Sequence, residues 1–195
     1  MPKTKQLLTQ TINVRLEGLS PIMFDRFYGQ EKDSRPPEQK FYLGQNNEVC
    51  LPAENVYAFL FSEKGGGCAR TFEGTKGKKF IRIGQSHIVV EPLLIPFIAN
   101  GKPILFDRFD GERFWVSEYS PTTKLSGGGI IKQDVRKRPV LNQPWELAFT
   151  IKLIKNELID ETRLYNWFVQ GGIEIGLCNY RPRFGRFMVK EWELG

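Results

Sequence analysis

Between glycines 176 and 185 the chain reads Leu177-Cys178-Asn179-Tyr180-Arg181-Pro182-Arg183-Phe184, and Arg186 follows directly. Guanidinium groups two residues apart, in a stretch without acids, suit the oxygens of a phosphate chain. Exposed backbone N–H groups in such a loop can nest an anion. Tyr180 and Phe184 offer flat surfaces on which an unpaired base can stack, at about 1–3 kcal/mol each. The glycines let the backbone approach a ligand or a neighbouring chain closely. The competing reading is a tight helix-to-strand connection with its aromatics in the core. It suits Phe187 well and Arg181 and Arg183 poorly, since a buried arginine needs a partner.

The same chemistry recurs elsewhere. Residues 64–82 carry Lys64, Arg70, Lys76, Lys78, Lys79 and Arg82 against Glu73, a net of +5. Residues 131–140 carry Lys132, Arg136, Lys137 and Arg138 against Asp134, a net of +3, and residues 178–190 a net of +4. The whole chain is only +6, so outside these stretches it is acidic. Separated signs of this kind point to a polyanion track, because clustered cations gain entropy by releasing counterions condensed on phosphates. Solvated basic loops are the plainer alternative. A nine-residue echo adds two more cations: Pro21–Gly29 and Pro103–Gly111 agree at seven of nine positions, with Arg26 and Arg108 equivalent. Its aromatics read as packing residues, its arginines as contacts to nucleic acid or to a neighbouring subunit.

Enzymatic chemistry is poorly provided for. His87 is the only histidine and the first candidate general base for a metal-independent ribonuclease; Tyr180 with a lysine or arginine could substitute for it, though nothing in the spacing demands that. His87 precedes the β-branched run Ile88-Val89-Val90, which reads as structural. Gly65–Gly67 and Gly127–Gly129 lack the Lys-Ser/Thr of a phosphate-binding loop. Asp107, Asp110 and Glu112 lie among Arg108 and Arg113, which can pair with them, so no metal site is expected. Cys50, Cys68 and Cys178 are too far apart for a zinc knuckle or a disulfide framework and read as free thiols of a reducing cytoplasm. No cofactor is expected.

The elements that must position these groups follow from periodicity. The chain has 195 residues, 41% hydrophobic and 26% charged, which suits one globular domain. No apolar run reaches the roughly 18–20 residues of a membrane span, and the first residues lack a signal peptide's apolar core, so a soluble protein with no membrane partner is expected. Ile12, Val14 and Leu16 alternate with polar residues as in a half-buried strand. Pro52 opens a helix carrying Val56, Phe59 and Leu60, ended by Gly65–Gly67. Phe80–Ile83, Ser86–Val90 and Phe114–Val116 read as short strands. Trp145, Leu147, Phe149, Ile151 and Leu153 alternate over a long strand. Asp160 caps a helix with Leu164, Trp167 and Phe168 inward, stopped by Gly171-Gly172, and Phe187 begins a last strand. The order is that of an α+β, ferredoxin-like (RRM-like) split βαβ sheet. Residues at about 91–144, broken by Pro92, Pro96, Pro103, Pro121 and Pro139 and by three glycines in a row, read as an insertion, a β-rich subdomain or protruding thumb hairpin.

With these residues in view, the chain resembles the RAMP superfamily of CRISPR-associated proteins. The resemblance is strongest over residues 145–192 and extends to Leu16–Pro21 and Leu51–Phe61. It implies a ferredoxin-like core with a glycine-rich loop running from the last helix into the last strand, although that loop is usually denser in glycine than the Gly176 and Gly185 pair. It is similar within that superfamily to backbone subunits that polymerise along a guide RNA, whose inserted thumb would place Arg136-Lys137-Arg138 along the phosphates. The implied partners are single-stranded RNA or DNA, further copies of the chain side by side, and other effector subunits. The alternatives are a RAMP-type endoribonuclease using His87 and a self-assembling structural module.

Overall fold

A computed structural model describes residues 8–26, 35–119, 122–124, 130–132 and 135–195, with side chains at 122–124 and 130–132 left aside. Phe27–Gly29 of the echo and Gly127–Gly129 lie outside the described residues. The chain opens with β1 (Thr9–Gly18), β2 (Ile22–Met23), β3 (Tyr42–Leu43) and β4 (Val49–Pro52). Three helices follow, α1 (Ala53–Phe61), α2 (Cys68–Phe72) and α3 (Gly77–His87). Strands then run β5 (Ile88–Glu91), β6 (Leu94–Ala99), β7 (Lys102–Pro103), β8 (Phe114–Tyr119), β9 (Thr122–Lys124), β10 (Ile130–Lys132), β11 (Arg136–Leu141) and β12 (Glu146–Ile154). Helix α4 (Glu161–Glu174) and strand β13 (Phe187–Leu194) complete the order.

Strands β13, β1, β12 and β5 are antiparallel neighbours in that spatial order, which is the ferredoxin-like α+β arrangement. Alternation explains the face that is buried: Ile12, Val14 and Leu16 oppose Ile151, Phe149 and Leu147, and all six are inside. Phe168 of α4 packs on Phe149 of the sheet and Phe59 of α1 on Phe187, with ring centres 6.1 and 5.3 Å apart. Fully burying one such ring contributes about 1.5–3 kcal/mol.

Of residues 91–144, β6 joins β12 in the main sheet and extends it through β4 to β3, with β7 as its own hairpin partner. Strands β2, β11 and β8 form a separate three-stranded sheet, and β9 pairs with β10. The two echo segments meet at one ring: Phe24 and Phe106 lie 5.0 and 4.7 Å from Phe41.

Two readings of the elements are corrected. Phe80–Ile83 and Ser86 belong not to strands but to α3, whose Phe80, Ile81 and Gly84 face the core while Lys78, Lys79, Arg82 and Gln85 face solvent. That is helical spacing, which a four-residue apolar run conceals. Only Ile88–Glu91 pairs as a strand. Gly171 and Gly172 also do not stop α4, which runs on to Glu174. A Cβ at Gly171 would meet Cys68 Sγ at 2.7 Å, and one at Gly172 the Phe187 carbonyl oxygen at 2.5 Å. Close packing, at a helix-propensity cost of about 1 kcal/mol per glycine, is why they are there.

Candidate nucleic-acid interface

The connection from α4 to β13 is fastened to the exit of β1. Gly185 N–H donates to the Pro21 carbonyl at 2.8 Å, Asn179 N–H to Met23 at 3.1 Å, and Arg186 N–H to Ser20 Oγ at 2.9 Å. Leu177 N–H donates to the Gly185 carbonyl and Phe184 N–H to Tyr180. These N–H groups are therefore committed internally, which closes much of the anion nest expected there. Gly185 has φ 76°, and a Cβ on it would sit 2.0 Å from the Leu177 carbonyl oxygen, so glycine is required. Cys178 and Tyr180 hold φ of 60° and 57°, a region that L residues seldom occupy.

Phe184 does not offer the stacking surface expected of it. It is buried against Met23 and Val140, with Trp115 6.4 Å away ring to ring. Tyr180 faces solvent, 49% exposed, and its ring lies 5.0 Å from that of Tyr119 at the end of β8. Arg181 turns partly inward and donates to the carbonyls of Gly176 at 3.3 Å and Gly65 at 3.4 Å, tying this loop to the Gly65–Gly67 turn. Burial lowers its pKa, with Cys178 and Cys68 nearby acting in the opposite direction. Burial in turn pushes the Cys178 thiol up to about 12 and the Cys68 thiol higher still. Arg183 and Arg186 are exposed, and Arg186 Nε donates to the Pro182 carbonyl at 2.9 Å.

On β11, Arg136 stands opposite Tyr119 in the ladder and Arg138 opposite Ser117. Arg138 corrects a further expectation. It is buried, forms an ion pair with Asp25 and lies 5.2 Å over the Tyr119 ring, so it supports the surface from below and is not placed to meet phosphate. Its Nε is buried without a hydrogen-bond partner among the described residues. Lys137 is exposed and paired with exposed Glu118 at 2.8 Å, a contact that costs little to break. Lys40 Nζ donates to the Lys137 carbonyl at 3.0 Å and anchors the strand from its other side.

The remaining predicted cations are more dispersed. Arg26 is exposed, with its guanidinium 5.8 Å from the centre of the Tyr42 ring, next in sequence to Asp25. Arg70 on α2 reaches the Gly74 carbonyl, and Lys76, Lys78 and Lys79 lie on the solvent side of the α3 segment, Lys78 within 3.6 Å of Glu63. Glu73, the acid of this stretch, is turned away to Arg163 and Trp167. Arg108 is exposed on the second echo segment, and no contact among the described residues joins it to the loop. Asp110 is a turn cap: its Oδ1 accepts from the N–H groups of Glu112, Arg113 and Phe114, and these bonds hold its carboxyl below the usual range. His87 ends α3, half-buried, its Nδ1 2.8 Å from Ser86 Oγ and 3.1 Å from the Ile83 carbonyl oxygen.

Loop 176–185 is thus where two remote basic stretches meet a third: Arg181 reaches Gly65 and Tyr180 reaches Tyr119 beside Arg136. Tyr119 carried no local sequence signal and Asp25 only its place in the echo, because their roles come from pairing across the fold. No family model matches the sequence, and no curated protein matches it. Among solved structures the chain is similar to one in the cryo-EM structure of the Type III-B Cmr-beta bound to cognate target RNA, with a TM-score of 0.53 and 10% identity. The match covers 95% of this chain and 60% of that one. The likeness is one of fold. No helix among the described residues is long and apolar enough to cross a membrane.

Proposed function

We propose that the protein binds single-stranded nucleic acid, guide RNA foremost, without cleaving it and with little sequence preference, as a repeating subunit of a RAMP-type ribonucleoprotein with other effector subunits. The observation that carries this reading is the loop at 176–185, which gathers the ends of three basic stretches around one exposed tyrosine. The fold neighbour, itself part of a Cmr-beta structure with target RNA, supports RNA over DNA. Phosphate contacts dominate, so log affinity falls against log salt by about 0.7 for each phosphate engaged.

A titration of a labelled 20-mer RNA at two salt concentrations, with EDTA present, tests both parts. Tight binding at low salt that weakens steeply with added salt, with the strand intact, is expected. Absence of binding at low salt overturns the reading. Cleavage that His87→Ala abolishes overturns its non-catalytic part.

A further inference from the structure

We infer that Tyr180, backed by Tyr119, is a stacking site for one unpaired nucleobase. The inference rests on the nucleic-acid reading above and adds base recognition to it. Tyr180 keeps its ring in water while its backbone sits at φ 57°, a conformation that persists only when the surroundings hold it. They do hold it: Asn179 before it donates to Met23, and its own carbonyl accepts from Phe184 N–H. The ring is therefore presented on a fixed backbone.

Tyr119 supplies the rear of the site. Its ring is half-buried, 5.0 Å from Tyr180 at an interplanar angle of 54°, and the Asp25-paired guanidinium of Arg138 lies 5.2 Å from its centre. Phe184 touches Tyr180 edge-on at 6.3 Å from the inner side. These contacts leave the outward part of the Tyr180 ring open to a planar ligand. Arg183 in the same loop and Arg136 beside Tyr119 supply cations near the site, where a base's own phosphates have to pass.

The other exposed tyrosine among the described residues is unlike it. Tyr165 packs on Trp192, whose indole N–H donates to Glu161 at 2.5 Å, so the charged group bonded to this ring pair is a carboxylate. Stacking on a single ring reads the π-face and not the base edge, so purines bind more tightly than pyrimidines at this one position.

The test uses the full chain and two labelled strands of equal length: oligoadenylate and a wholly abasic strand carrying the same phosphates. Wild type should bind oligoadenylate about tenfold more tightly than the abasic strand. Tyr180→Leu should remove that preference, while Tyr180→Phe, which keeps the ring, should retain it. Equal binding of both strands by wild type overturns the stacking site alone, as does a Tyr180→Leu variant that keeps the preference. If wild type binds neither strand at low salt, the nucleic-acid reading fails first.

Discussion

On the open face of the main sheet, Arg15 meets Glu146 at 2.7 Å and Glu191 at 3.4 Å. Lys190, at the bulge of β13, meets Glu146 at 2.7 Å and Glu17 at 3.1 Å, and Lys152 meets Glu91 at 2.7 Å. Around loop 176–185 the acids are fewer: Asp25 is spent on buried Arg138, and exposed Arg183 has no carboxylate in ion-pair range among the described residues. Both regions are rich in cations, and only the second leaves positive charge uncompensated. The outward residues of β1 and β12, from Asn13 to Glu17 and from Glu146 to Lys152, include no aromatic ring. An RRM-like sheet that binds bases on its face needs such rings. The exposed ring and the unpaired arginine lie at the loop edge and not on the sheet face, and a count of lysines and arginines alone would not separate the two regions.

That contrast can be broken first at the loop. Gly185→Ala forces a side chain into a left-handed position and onto the Leu177 carbonyl, and should lower stability by about 3 kcal/mol. Urea unfolding reads it as a lower midpoint at unchanged slope. A variant as stable as wild type would show that the loop does not need this geometry.

A smaller effect belongs to the sheet face. The Lys190 hydrogen bond and the Arg15 pair hold the Glu146 carboxyl below its ordinary value of 4.5 against the opposing cost of burial. A folded value below the unfolded one stabilises the protein fully above the ordinary range, and the gain is lost as pH falls through the folded value. Glu146→Gln should therefore flatten the loss of stability between about pH 5 and about pH 3, measured as urea midpoints. An acid limb as steep as that of wild type would remove Glu146 from the account.

The smallest effect sharpens the contrast. Lys152→Gln, which removes a cation already paired with Glu91, should change RNA affinity less than about twofold, whereas Arg183→Gln should weaken it several-fold at low salt. Equal losses measured by anisotropy titration would mean that the two faces are not distinct.

Much of the frame was legible along the chain. The alternation in β1 and β12, and the Asp160 cap, whose Oδ1 accepts from Arg163 N–H at 2.8 Å, are local signals that local rules read correctly. Helix α3 was not legible, because Phe80-Ile81 followed by Ile83 satisfies strand and helix patterns equally over so short a run. In the candidate site, Tyr180 and the arginines stood out by type and spacing. Their orientations did not: Arg138 turns inward because Asp25, remote in sequence, waits beside β11, and Phe184 because Met23 and Val140 leave room for it. Partners of that kind are chosen by topology, which single-chain periodicity does not encode.

Gly171 and Gly172 let the last helix lie against Phe59 and the start of the final strand with nothing thicker than a hydrogen between them. A methyl group added at either position would run into the Cys68 sulfur or the Phe187 carbonyl oxygen and lift the helix from its bed, while the loop beyond stays fastened to the exit of β1. The seat of the last helix is thus set by two residues that never face solvent.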